Sequence, residues 1–160
     1  MIRKARADDF EFIYGLYMHP AINPFLLYEM MNKKSFKPIF CDLVSKNLLF
    51  VFEQNEVSVG MCKLVPQLFR NSHIVYLGGV AIEPQHAGKG LGLQMMHEII
   101  EFAKQKKFRR IELSVATINE KAIKVYEKAG FAKEGILKNF TYLKSENRFL
   151  DEVMMAYIFV

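Results

Sequence analysis

Tryptophan is absent, and cysteine occurs only twice in 160 residues. Cys41 and Cys62 form no Cys-x-x-Cys pair and have no histidine at ligand spacing, which argues against a zinc site and a disulfide framework. Both read as small buried hydrophobes. His19, His73, His86 and His97 are spaced too irregularly to make a metal constellation, so no metal is expected, and His86 and His97 read as facing solvent. Long apolar runs are missing as well. The longest, Leu48 to Phe52, falls far short of the roughly 20 residues that cross a bilayer, so no membrane span and no membrane partner are expected. The opening Met1-Ile2-Arg3-Lys4-Ala5-Arg6-Ala7-Asp8-Asp9 turns acidic where a secretory signal would become apolar. The chain is therefore expected to begin here and to be cytoplasmic.

What is present suits one compact domain over residues 1–160. The chain is 51% hydrophobic and 24% charged, enough to bury a core without staples and too apolar for a disordered scaffold. Its net charge of +5 is unevenly spread. Residues 101–148 hold twelve Lys or Arg against six Asp or Glu. Such a field suits a phosphorylated ligand or simply a solvated face. Nucleic acid is not expected as a partner: the basic residues are not interleaved with aromatics, and no helix-turn-helix, finger or ribonucleoprotein signature occurs.

Periodicity and turn residues give the order of elements, with no internal repeat. Ile2 to Arg6 reads as a strand, followed by Asp8 or Asp9 capping a helix whose apolar face is Phe12, Ile13, Leu16 and Tyr17. His19-Pro20 stops it. Pro24 and Pro38 break the stretch 21–47 into one or two short helices, a place for a substrate lid. Strands 48–53 and 57–65 form a hairpin around Gln54-Asn55-Glu56, and a third strand runs 73–82. A long helix with the stripe Leu93, Met96, Ile99, Ile100 and Ala103 follows a glycine-rich segment, 88–92. Next come a strand over 110–115, a helix capped by Asn119 and ended by Gly130, and a closing hairpin of strands 135–143 and 149–159. The fold class is α/β (α+β), with a mostly antiparallel sheet and helices on both faces.

The most informative stretch is Val80-Ala81-Ile82-Glu83-Pro84-Gln85-His86-Ala87-Gly88-Lys89-Gly90-Leu91-Gly92. Here a strand runs through a glycine-punctuated turn straight into a helix. Glycines let the chain approach a ligand closely, while the orphan amides and the positive end of the helix dipole favour an anion such as phosphate. Lys89 adds a formal charge. Spacing excludes two phosphate loops: Lys89 is followed by Gly90-Leu91, not by Ser or Thr as in a Walker loop, and the last glycine comes one residue early for a dinucleotide fingerprint.

Gln85-x-x-Gly88-x-Gly90 after Val80-Ala81-Ile82 resembles the acetyl-coenzyme A pyrophosphate loop of the GNAT superfamily of N-acetyltransferases. A second block, Asn119-x-x-Ala122-x-x-Val125-Tyr126-x-x-x-Gly130-Phe131, resembles that family's next signature. Asn119 and Tyr126 lie two helical turns apart and share a face with Ala122, whose small side chain leaves room for a ligand. The resemblance spans roughly residues 2 to 160 and is strongest between 76 and 135.

The resemblance implies the GNAT fold, with a six- or seven-stranded sheet, and acetyl-CoA as cosubstrate. It also implies direct attack of a primary amine on the thioester through a tetrahedral intermediate. The cofactor-binding set it implies is Val80, Ile82, Gln85, His86, Ala87, Gly88, Lys89, Gly90, Leu91, Gly92, Asn119, Ala122 and Tyr126. The pantetheine arm would pair with the open strand edge at Val80 and Ile82, and Gly78-Gly79 would permit the bulge that opens it. Tyr126 would be the general acid, a phenol of ordinary pKa about 10 facing a thiolate of about 8.5.

The family often places a carboxylate on the central strand, but Tyr76 to Ile82 contains none. Glu83 is then the nearest candidate base, with His73 and the Glu29 region as alternatives. Phe131-x-x-Glu134-Gly135, Tyr142, Arg148 and Asp151-Glu152 are similar to the branch acting on ribosomal-protein N-termini, polyamines and amino sugars; Arg148 and Asp151 also read as a structural ion pair. The expected acceptor is a small-molecule amine or a peptide N-terminus, and the chain a monomer or homodimer. The other reading is a non-catalytic acyl-CoA sensor or interaction domain of the same fold.

Overall fold

The computed structural model describes all 160 residues, Met1–Val160. Seven strands form one sheet: β1 Ile2–Lys4, β2 Leu49–Gln54, β3 Val57–Pro66, β4 Ile74–Ile82, β5 Arg110–Ala116, β6 Ala132–Leu143 and β7 Arg148–Ile158. Their order is β1-β2-β3-β4-β5-β7-β6. Every neighbouring pair is antiparallel except β4 and β5, which run parallel. Four helices cover the sheet: α1 Phe10–Tyr17, α2 Lys33–Ser45, α3 Leu91–Gln105 and α4 Glu120–Lys128.

Strand alternation sends side chains to two separate cores. On one face, Cys62 and Leu64 of β3, Val75 and Leu77 of β4 and Ile111 and Leu113 of β5 pack against Met95, Met96, Ile99 and Ala103 of α3 and Ile123 and Tyr126 of α4. On the other, Leu49 and Val51 of β2 and Met61 of β3 pack against Ile13, Leu16 and Tyr17 of α1 and Phe36, Phe40 and Leu43 of α2. Arg3 ties the start of the chain down, donating to Asp9 at 2.8 and 2.9 Å and to Glu53 at 2.6 Å.

Several local expectations need correction. Asp9 does not cap α1 with its side chain; its carboxylate accepts from the Arg6 N–H at 2.7 Å and binds Arg3, closing a 3-10 turn over Ala7–Asp9. Pro38 does not break a helix but lies inside α2. A proline there costs about 3 kcal/mol, yet Phe36, Phe40 and Leu43 are all buried on one face, and each contributes about 1.5–3 kcal/mol. Burial wins. Cys62 is buried, but Cys41 is exposed on α2. α3 starts at Leu91, two residues before its expected stripe, and Met95 joins its buried side.

Two irregularities in β4 shape the centre of the sheet. Pairing with β5 covers only Ile74, Val75 and Tyr76, opposite Arg110, Ile111 and Glu112. Beyond them the strands part. Against β3 the register slips between Met61↔Ala81 and Lys63↔Gly78, so Cys62 faces two residues, Gly79 and Val80. Gly79 takes φ +57° in this bulge, and a Cβ there would stand 2.6 Å from Tyr17 Oη. Glycine is required on both counts.

Candidate active site

The parted strands open a cleft of about 550 Å³. One wall is β4 at Val80, Ala81 and Ile82, whose β5-facing edge has no partner strand beyond Tyr76. The opposite wall is α4 at Asn119, Ala122, Val125 and Tyr126, and Ile22, Phe25 and Leu26 from the α1–α2 connection close the top. Asn119 both caps α4, accepting from the Ala122 N–H at 3.3 Å, and lines the cleft.

The glycine loop forms one end. Gly88 and Gly90 adopt φ +76° and +75°, where an L side chain is strained. His86 and Ala87 use their N–H groups inside the turn, on the carbonyls of Glu83 and Pro84. Those of Gly88, Lys89 and Gly90 donate to no protein acceptor, and those of Leu91, Gly92 and Leu93 are first-turn donors that a helix cannot satisfy from within. The donor cluster is thus Gly88–Leu93, shifted by two residues from the expected start at His86. With the N-terminal dipole of α3, it suits a diphosphate.

The side chains expected in the site divide. His86, Ala87, Gly88, Gly90, Leu91 and Gly92 line the cleft with Val80, Ile82, Asn119, Ala122 and Tyr126. Gln85, Lys89 and Glu83 do not. Lys89 is exposed, and the cations on the cleft wall are instead Lys121 and Lys128 of α4. Gln85 Nε2 donates to Glu83 Oε2 at 2.8 Å, and His86 Nε2 lies 3.5 Å from the same oxygen, so His86 is half-buried and not simply facing solvent. Glu83 and Gln85 border a different hollow with Glu11 and His19. His73 sits at the far end of β4 beside Arg109, and Glu29 is exposed. The expected Arg148–Asp151 pair does not form: Arg148 bonds Glu146, Asp151 takes Lys138, and Glu134 holds Arg110.

Tyr126 is 8% exposed. Burial raises its phenol above the ordinary value of 10, with smaller contributions from Tyr76 and Cys62. It therefore keeps its proton across the neutral range and can donate a hydrogen bond into the cleft.

Behind the β4 bulge lies a second hollow of about 240 Å³, which shares Phe25 and Leu26 with the cleft. Gly78, Gly79 and Tyr76 of β4, Ser114 of β5, Thr141 of β6 and Glu152 of β7 border it. Lys63 of β3 borders it too, and nothing in the motif pattern singled that residue out. Its one signal is position: a lysine inside the apolar run Met61-Cys62-Lys63-Leu64-Val65. Glu152 is the one carboxylate lining either the cleft or the hollow.

The chain is similar in sequence and in fold to known proteins. The chain is 27% identical over 145 residues to a protein of Methanocaldococcus jannaschii called an uncharacterized N-acetyltransferase, covering 87% of this chain and 63% of that protein. It is 34% identical over 93 residues to the L-amino acid N-acetyltransferase of Escherichia coli, covering 58% of this chain and 56% of that one. The chain thus spans less than two thirds of these relatives. A crystal structure of spermidine N-acetyltransferase from Vibrio cholerae, in complex with CoA and spermine, superposes with TM-score 0.85 at 21% identity over 99% of this chain and 94% of that one. The profile of the Acetyltransferase (GNAT) family matches residues 10–131, the span that contains the glycine loop, the open strand edge and α4, and the chain belongs to that family.

Proposed function

We propose that this protein transfers the acetyl group of acetyl-CoA to a primary amine by direct attack. The observation that carries the reading is the single cleft that joins unpartnered loop amides, an open strand edge and a buried phenol. Each part answers a chemical need of the cosubstrate. The amides of Gly88–Leu93 hold the diphosphate, and Lys121 and Lys128 add charge at the rim. The free edge of β4 at Val80 and Ile82 takes the peptide-like pantetheine arm as an added strand. Acetyl-CoA, when bound, supplies an acetyl group activated as a thioester.

A backbone N–H beside the bulge polarises the carbonyl oxygen as negative charge develops there. The amine nitrogen forms the new C–N bond, the C–S bond breaks, and Tyr126 donates its hydrogen bond to the departing sulfur. Because the buried phenol holds its proton more tightly than a free one, hydrogen-bond donation is its main contribution. Glu83 is set aside as base, since its carboxylate is bound to Gln85 outside the cleft. The incoming ammonium therefore gives one proton to water on the side of the second hollow before it attacks, and the second proton lost from nitrogen after attack ends on the departing sulfur.

The test is incubation with acetyl-CoA and a broad amine panel, reading free thiol. Thiol release with at least one amine is expected. Saturating acetyl-CoA at one hundred times its Kd should also stabilise the fold by about 2.7 kcal/mol. No stabilisation and no thiol would overturn the reading; stabilisation without thiol release would mark a non-catalytic acyl-CoA sensor.

A further inference from the structure

Lys63 is 8% exposed and forms no ion pair with any carboxylate. Its Nζ lies 5.3 Å from the centre of the Tyr28 ring, a partial compensation that leaves its hydrogen-bond donors unused. Burying an ammonium without a counter-ion is costly, and burial here lowers the Lys63 pKa. The side chain lines the 240 Å³ hollow, its Cε running alongside Gly78 and its Cβ alongside Gly79.

Only one other charged residue lines that hollow. Glu152 sits opposite Ala116 at the end of β5, where the strands have parted, and accepts the Thr141 hydroxyl. The hollow thus presents one fixed charge of each sign. Tyr76 and Ser114, whose Oη and Oγ lie 3.2 Å apart, also border it and add neutral polar atoms. Its volume is below the 300–1,000 Å³ typical of sites for drug-sized ligands, so it suits a small metabolite. A polyamine, with several positive charges and no negative one, would meet a buried ammonium at Lys63.

We infer that this hollow is the acceptor site and that it selects a zwitterion, a small free amino acid whose carboxylate is taken by Lys63 and whose ammonium is taken by Glu152. The inference rests on the acetyl-transfer reading above and narrows it to a substrate class. The carboxylate supplies the counter-ion Lys63 lacks, in a charge-assisted hydrogen bond of the stronger kind. The ammonium lies on the side of the bulge where β4 and β5 part, facing the thioester position.

The experiment compares the twenty protein amino acids with their carboxamides, which keep the amine but lose the negative charge, and with spermidine. Initial rates of thiol release are measured with the wild-type chain and with Lys63→Met. At least one free amino acid should exceed its carboxamide in kcat/KM by tenfold or more, and spermidine likewise. Lys63→Met should raise KM for that amino acid and bring its kcat/KM to within about threefold of its carboxamide's in the same variant. Equal rates for amino acid and carboxamide in the wild type, or preference for spermidine, would overturn the zwitterion assignment while leaving acetyl transfer intact.

If no amine releases thiol, the transfer reading is what fails. Calorimetric titration of the wild-type protein and CoA with the same pairs then decides the site by itself. Tighter binding of the amino acids supports it; binding no tighter than that of the carboxamides overturns it.

Discussion

Burial acts on Tyr126 and Tyr17 in the same direction, raising both phenols above the ordinary value of 10, but the two hydroxyls differ in use. Tyr126 faces the cleft, so Tyr126→Phe should leave acetyl-CoA affinity nearly unchanged and lower turnover about tenfold or more. Unchanged turnover in a thiol-release assay would remove it from the chemistry. Tyr17 Oη is fully buried without a hydrogen-bond partner, beside the bulge, and Tyr17→Phe should be neutral or stabilising by about 1 kcal/mol. Cys62, pushed up to about 12 by burial, shares the trend. The folded state therefore keeps protons that the unfolded chain releases above pH ~9 for the thiol and ~10 for the phenols. Stability should be complete below that window and fall as pH rises through it, by up to ~1.4 kcal/mol per pH unit for each group. Denaturant titrations from pH 7 to 11 check the sign, and Tyr17→Phe should flatten the fall. Lys63 shows why the site was only partly legible at this scale: a motif marks loop and helix positions, whereas a lone lysine in a strand gains meaning only when the opposite face is known.

Among the elements, those with strict periodicity or punctuation were readable: the β2–β3 hairpin from its polar turn, α3 from its stripe, α4 from Asn119 and Gly130. Even the bulge followed from Gly78-Gly79, because only glycine tolerates that backbone so close to Tyr17. α2 is not legible because proline reads locally as a breaker, whereas tertiary burial of Phe36, Phe40 and Leu43 outweighs its local cost. Pro38→Ala restores a donor for the Lys34 carbonyl and should raise stability by about 1–3 kcal/mol, seen as a higher Tm. In the loop, a Cβ at Gly90 would meet nothing within 4 Å, so only its positive φ opposes a side chain. Gly90→Val should therefore fold while tilting the amides away, raising the acetyl-CoA Kd tenfold or more in calorimetry. An unchanged Kd would show that the loop conformation is not what binds.

At the scale of the whole molecule, the alternation of the strands builds a separate core on each face, and the β4–β5 gap is the passage between them. The sheet, its helices on both faces and the approximate element order were legible in hydrophobic period and turn residues. The pairing of charges was not, since Asp151 and Glu134 find partners across strands whose register sequence does not reveal, while Arg148 turns back to Glu146 in the adjoining turn. Of the basic residues in 101–148, Arg110, Lys133, Lys138 and Arg148 are ion-paired and Lys121 and Lys128 lie at the cleft rim, while the others are solvated surface charges. No helix is long and apolar enough to cross a membrane.

Amide hydrogen exchange, with and without saturating acetyl-CoA, tests the binding site most directly. Exchange should slow at Gly88–Leu93 and along the open edge of β4 from Val80 to Ile82, and stay unchanged in α2. Binding of acetyl-CoA with exchange at Gly88–Leu93 as fast as in the free protein would contradict the account.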